Sequence, residues 1–183
     1  MLPVLAFAQA VLPTSWNFTT PGISTPPVGW ITGLGTNGNL TYSAAGYSVG
    51  GDALSCKLDA KDEFLTVWFA DKPGDLSYYV RGTGSGANPP FAGSFKVQES
   101  VDGNSWNDIR TFTAMTTTLT RYSETLSASS RYVRFFYADK QDGSNVALDS
   151  VLIINSPAPA KGILVKQNTT TLVNGNVFDF GNP

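Results

Sequence analysis

Phe95-Lys96-Val97-Gln98-Glu99-Ser100-Val101-Asp102-Gly103-Asn104-Ser105-Trp106 is the stretch whose reading decides the fold class. Successive side chains of an extended backbone point to opposite faces, so Phe95 and Val97 fall on one side while Ser94, Lys96 and Gln98 fall on the other. The alternation breaks at Asp102-Gly103, a pair suited to the tight turn between two strands, and an aromatic follows at Trp106. A helix would require apolar residues three and four apart, and this spacing is two. The stretch is a β-hairpin.

The same pattern extends outward in both directions. Leu76, Tyr78 and Val80 form an inward set, and the run Phe64-Leu65-Thr66-Val67-Trp68-Phe69 is apolar on both faces, which predicts a central strand covered on both sides. Gln141-Asp142-Gly143-Ser144 repeats the Asp-Gly hairpin signal, Asp71-Lys72-Pro73-Gly74 reads as a turn, and residues 82–90 read as a longer loop. Strands are expected over residues 15–19, 29–32, 53–58, 63–70, 75–82, 93–100, 107–113, 118–126, 131–138 and 146–154, with no helical periodicity longer than two turns. Short strands at this spacing predict an all-β protein, a two-sheet antiparallel β-sandwich of jelly-roll type.

Composition sets the function classes. Charged residues are 14% of the 183, net charge is −2, and there is no block of Lys or Arg. Nucleic-acid binding rests on neutralising phosphates with a basic patch, so it is disfavoured, and a membrane surface is disfavoured for the same reason. No segment after the N-terminus is long and apolar enough to span a bilayer. The chain contains no histidine, which removes serine triads, most zinc sites and the usual proton shuttle. The lone cysteine, Cys56, shares a strand face with Leu54 and Leu58 and reads as a small buried hydrophobe.

Domain organisation follows from shifts along the chain. Residues 1–10 close on Ala8-Gln9-Ala10, the pattern of the end of a secretory signal, with cleavage expected after Ala10 and export as the consequence. Residues 11–154 would form the sandwich, and 155–160, with Pro157 and Pro159 among small residues, an extended linker. Residues 161–183, with Ile163-Leu164-Val165 and Val177-Phe178-Asp179-Phe180-Gly181, read as the opening of a second β-domain too short to make a core.

Three groups of residues invite chemistry. Asp59, Asp62 and Glu63 could be paired carboxylates of a glycosidase, but Asp59-Ala60-Lys61-Asp62 has the composition of a strand-to-strand turn, and no catalytic residue is assigned. Among four Trp, seven Tyr and eleven Phe, Trp68 and Phe135 lie in strongly apolar runs and read as core. Trp30, Tyr42, Tyr47 and Tyr79, the last paired with the outward Arg81, are candidate platforms for a sugar ring, whose C–H face is apolar and whose rim is hydroxylated; packing or hairpin-end anchoring is the alternative. Asp149 sits in an apolar strand, where strict alternation puts it with Ala147, Val151 and Ile153. A buried carboxylate there needs a cation, an Arg or backbone donors, and exposure to solvent is the remaining alternative.

The hairpin stretch, together with Arg131-Tyr132-Val133-Arg134-Phe135-Phe136-Tyr137 and Asn145-Val146-Ala147-Leu148-Asp149-Ser150-Val151-Leu152-Ile153, resembles discoidin-like and MAM-like (galactose-binding-like) jelly rolls of secreted Bacteroidetes-type multidomain surface proteins. The resemblance covers residues 15–154 and implies fold more than ligand. It further implies a structural Ca2+ site joining Asp149 to the N-terminal strand at Asn17, although Ser150 stands where a second Asp is often found. Residues 163–181 resemble the first strands of choice-of-anchor immunoglobulin-like modules, which implies export by a type IX route, display at the cell surface, and downstream domains of the same polypeptide as partners. The expectation is a non-catalytic, secreted binding or adhesion module for a polysaccharide or surface glycan. A structural spacer of a surface protein, or the N-terminal accessory domain of a secreted hydrolase, is the alternative.

Overall fold

Period-two patterning becomes eleven strands in the computed structural model, which describes residues 8–35, 39–50, 54–83, 91–141, 145–157, 166–167 and 170–171. They are β1 (Thr14–Trp16), β2 (Trp30–Gly33), β3 (Thr41–Tyr42), β4 (Ser55–Leu58), β5 (Phe64–Trp68), β6 (Pro73–Gly82), β7 (Gly93–Ser100), β8 (Asn107–Phe112), β9 (Thr120–Thr125), β10 (Tyr132–Lys140) and β11 (Val146–Asn155). Two further short strands, β12 (Lys166–Gln167) and β13 (Thr170–Thr171), pair with each other. No helix among the described residues is long and apolar enough to cross a membrane.

The strands form an antiparallel β-sandwich. One sheet has six strands in the order β3-β4-β11-β6-β9, with β1 pairing the C-terminal half of β11 beside β4. The other has five in the order β2-β5-β10-β7-β8. From β4 to β11 the chain alternates between sheets except at the β7–β8 hairpin, the wrapping of a jelly roll.

The core is where the two inner faces meet. Leu65, Val67, Phe95, Val97, Val133 and Phe135 from one sheet interleave with Cys56, Leu58, Leu76, Tyr78, Leu148 and Ile153 from the other. Tyr78 stands edge-on to Phe135 across the interface, with ring centroids 5.1 Å apart. Each such large side chain contributes about 1.5–3 kcal/mol when fully removed from water, so this core is a main source of the sandwich's stability. Burial pushes the Cys56 thiol well above its ordinary pKa, as its place in this core requires.

Three local expectations are corrected. The Asp-Gly at 142–143 lies outside the described residues; the strands on either side, β10 and β11, belong to different sheets and do not pair as the hairpin expected there. Pro73 and Gly74 are the first residues of β6, with Pro73 opposite Asn155; a proline at the first strand position leaves the ladder intact. β5 is second from the sheet edge, and its outward Phe64 and Trp68 are only half-buried. The loop at 84–90, half of the linker and nearly all of residues 161–183 lie outside the described residues.

At the other end Ala10, the last residue of the expected leader, is 3% exposed, and its amide donates to the Trp68 carbonyl at 2.7 Å. Gly29 permits that approach. Its φ is +79°, and a Cβ there would stand 2.1 Å from the Ala10 nitrogen and 2.6 Å from the Trp68 oxygen.

β11 carries the feature that shapes the outer surface. Asp149 pairs with Tyr79 and Leu148 with Val80, yet Leu152 pairs with Ser77 and Ile153 with Leu76. Three steps along β11 match two along β6, so one extra residue bulges out, and Ser150 adopts φ +48° to accommodate it. The inward parity therefore switches from Val146 and Leu148 to Val151 and Ile153. Asp149 shares the outer face with Ala147 and Tyr79, not the face of Val151 and Ile153 as unbroken alternation predicts.

Candidate functional site

The outer face of the six-stranded sheet gathers most of the candidate residues. Tyr79 and Arg81 project from β6 on the side opposite Tyr78 and Val80, and Arg121 of β9 faces the same way opposite Tyr79. Tyr42 of β3 lies opposite Ser55 of β4, on the face of Lys57, whose partner on β11 is Ala147. Ser15 of β1 lies opposite Leu152. The bulge is what lets Asp149 and Leu152 share this face despite their odd separation.

A cavity of about 430 Å³ opens at the β1–β11–β6–β9 part of this face. Tyr79 supplies an aromatic wall, Leu152 an apolar one, and Ser77, Arg121, Ser15 and Asn17 supply hydroxyl, guanidinium and amide groups. Arg121 is exposed at the rim and Tyr79 half-buried. An apolar ring face with hydrogen-bonding groups around it is the arrangement a pyranose requires.

Beside the cavity, Tyr47 packs against Tyr42 with ring centroids 4.6 Å apart and planes tilted by 30°, and the Arg81 guanidinium lies 4.0 Å above the Tyr47 ring while its Nη1 donates to the Gly46 carbonyl at 2.8 Å. Arg81 thus engages Tyr47 and does not make the expected pair with Tyr79. The Tyr42 hydroxyl accepts from Asn145 Nδ2 at 2.9 Å, and burial raises its pKa, partly offset by the bonds to Asn145 and Thr83. These contacts fix the two tyrosines as a rigid aromatic shelf.

Trp30 does not belong to the site. It is 4% exposed, stands edge-on to Trp16 at 5.5 Å, and donates from Nε1 to Thr14 Oγ1 at 2.9 Å. Its position after a Pro/Gly-rich loop suggested a surface ring, but Gly29 turns the chain so that Trp30 enters β2 facing inward. Trp30 is core.

Asn17 and Asp149 are held by backbone donors. Asn17 Oδ1 accepts from the amides of Thr19 and Thr20 at 3.1 and 3.3 Å, beneath a buried Phe18 at φ +65°. Asp149, fully buried, accepts from Val49 N through Oδ2 and from Ser150 N through Oδ1, both at 2.7 Å. Calcium takes six to eight oxygens with lone pairs directed at the ion, whereas here amide hydrogens approach those oxygens. Among the described residues no group of three or more His, Cys, Asp or Glu could hold a metal. The donor set does not fit a cation bridging Asn17 and Asp149.

Two of the three carboxylates at 59–63, Asp59 and Glu63, are likewise engaged. Glu63 Oε2 accepts from the amides of Asp59 and Ala60, Oε1 accepts from Gly35 at 2.6 Å, and Asp59 pairs with Lys57. The turn is present, but its cap is the buried Glu63 and not an Asp.

No sequence signal marks Ser77, Arg121 or Leu152 as site residues, since they meet only through the β6–β9 register and the bulge.

No family model matches the chain, and no curated protein matches it in sequence. Solved structures do match. The K3 cleaved adhesin domain of Lys-gingipain from Porphyromonas gingivalis W83 superposes with a TM-score of 0.55 at 20% identity, over 77% of this chain and 96% of that one. The K2 cleaved adhesin domain of Lys-gingipain gives 0.59 at 14% identity, over 79% and 99%. TmCBM61, solved in complex with β-1,4-galactotriose, gives 0.50 at 10% identity, over 76% and 94%. At such identities these likenesses establish the sandwich fold.

Proposed function

We propose that this chain is a secreted, non-catalytic binding or adhesion module whose ligand is a polysaccharide or surface glycan lying along the outer face of the six-stranded sheet. The observation that carries it is the cavity walled by Tyr79 and Leu152 and rimmed by Ser77, Asn17 and Arg121, continuous on one sheet face with the Tyr42–Tyr47–Arg81 shelf. The solved relatives support it, since their names describe adhesin domains and a complex with a galactose oligomer. A single ring stack adds about 0.5–1.5 kcal/mol beyond burial, so affinity per site is modest and avidity comes from several modules or sites.

Calcium at Asn17 and Asp149 forms no part of this proposal, and Asp59 and Glu63 are engaged in a turn. Downstream domains of the same polypeptide, opening at 161–183, would display the module. Affinity electrophoresis through gels containing neutral galactan, mannan, xylan or glucan tests the proposal. One polysaccharide should retard the chain, and Tyr79→Ala should abolish the retardation while leaving the thermal midpoint within a few degrees. Equal mobility in every gel would favour the structural spacer instead.

A further inference from the structure

The opposite surface of the sandwich is built differently. Water-facing strand positions ordinarily carry polar side chains, yet the outer face of the five-stranded sheet presents Phe64 and Trp68 from β5, Tyr132 and Phe136 from β10, and Trp106 immediately before β8, all half-buried. Trp68 and Tyr132 lie parallel at 5.9 Å, and Trp106 stands edge-on to Tyr132 at 6.3 Å. Phe64, Tyr132, Trp106 and Arg134 line a cavity of about 270 Å³ there.

Arg134 is held in one pose within this aromatic surround. Its guanidinium carbon lies 4.1 Å above the Trp106 ring and 4.4 Å above the Phe136 ring. Gln98 Oε1 accepts from both Nε and Nη2, at 2.9 and 2.6 Å. Gln98 is itself buried and fixed by Asp108, whose Oδ1 accepts from Gln98 Nε2 at 2.6 Å and whose Oδ2 accepts from Lys96 at 2.7 Å. Asp108 therefore gives its oxygens to Lys96 and Gln98, and among the described residues Arg134 forms no ion pair. Burial pulls its pKa below the usual value and Asp108 only partly restores it, yet arginine stays charged at any physiological pH. What results is a pre-positioned cation in an aromatic-walled cavity, joined through a neutral amide to an acid already shared with Lys96.

We infer that this cavity is a second binding site, for a carboxylate-bearing sugar of the uronate or sialate class, with the ring against the Tyr132 and Phe64 side of the wall and the carboxylate on Arg134. It rests on the glycan reading for the ligand's general chemistry but uses none of the same residues. The two sites lie on opposite faces of the sandwich, so one module would join two chains.

Tryptophan fluorescence of the whole chain, titrated with oligogalacturonate and with the same oligomer after carboxyl reduction to the neutral sugar, is the test. The acidic oligomer should bind with a change in emission, and reduction should weaken binding by about tenfold or more, the weight of a charge-assisted hydrogen bond. Arg134→Gln should reproduce that loss, Arg134→Lys should restore part of it, and Tyr79→Ala should leave it untouched. Equal binding of acidic and reduced oligomers by the unaltered chain would overturn the inference whatever the variants do. So would absence of binding to both oligogalacturonate and a sialylated oligosaccharide. Retardation by a neutral polysaccharide that Tyr79→Ala abolishes, found together with no binding of either acidic oligomer, would leave the first site standing while the second fell.

Discussion

At Asp149 a fully buried carboxylate receives amide hydrogens on both oxygens. Removing it leaves those donors without an acceptor in the interior, which costs about 1–3 kcal/mol per lost charged hydrogen bond. Asp149→Ala should therefore lower the unfolding free energy by about 2–4 kcal/mol in urea titration, and Asp149→Asn by less, because one carbonyl oxygen remains. Since backbone amides engage both Asp149 oxygens and Asn17 Oδ1, chelator should leave the thermal midpoint unchanged; a drop of several degrees would restore the calcium reading. Asp102 sits at the hairpin tip, where the amides of Ser105 and Asn104, then the Ser100 hydroxyl, hold its pKa below 3.8. Its contribution to loop order is complete above 3.8 and is lost as pH falls through the lower folded value. The amide shifts of Asn104 and Ser105 should titrate with a midpoint under 3.8, and a midpoint at or above it would contradict the assignment.

Strand existence was almost wholly legible, and strand bookkeeping was not. β7 runs over Gly93–Ser100 as the pattern predicts, and β8, β9 and β10 differ from expectation only at their ends. β3, of two residues, is too short to show any period. The bulge in β11 is invisible in sequence because Ala147, Asp149, Val151 and Ile153 make a valid alternating set, and only the register against β6 reveals the extra residue. That slip moved Asp149 to the other face and with it the logic of the metal site. At Ser150 the φ of +48° predicts that Ser150→Gly is tolerated while Ser150→Val lowers stability by about 1–2 kcal/mol, measured by denaturant midpoint. Trp30 failed as a surface platform because Gly29 at φ +79° redirects the chain, which periodicity does not encode. Trp30→Ala should accordingly cost about 3–5 kcal/mol of stability, a core loss and not a selective loss of binding.

For the molecule as a whole, a sandwich with both inner faces filled leaves its two outer faces as the places where ligand can meet strands. The outer face of the six-stranded sheet carries the cavity, at β1, β11, β6 and β9, and the Tyr42–Tyr47–Arg81 shelf, and topology alone brought Asn17, Tyr79 and Arg121 to it from distant parts of the chain. Tyrosines and an arginine could be picked from the sequence as sugar-binding types, but their shared face depended on β6 pairing with both β9 and β11. The five-stranded face escaped notice because Trp68 lay in an apolar run that reads as core, although its strand position turns it outward. The most direct measurement is a two-dimensional amide NMR titration of the chain with the neutral polysaccharide fragment that retards it. Shifts should concentrate at Ser15, Asn17, Ser77, Tyr79, Arg121 and Leu152. Shifts confined to the hairpin and loop ends, with those six unmoved, would contradict the assignment of the glycan to the six-stranded face.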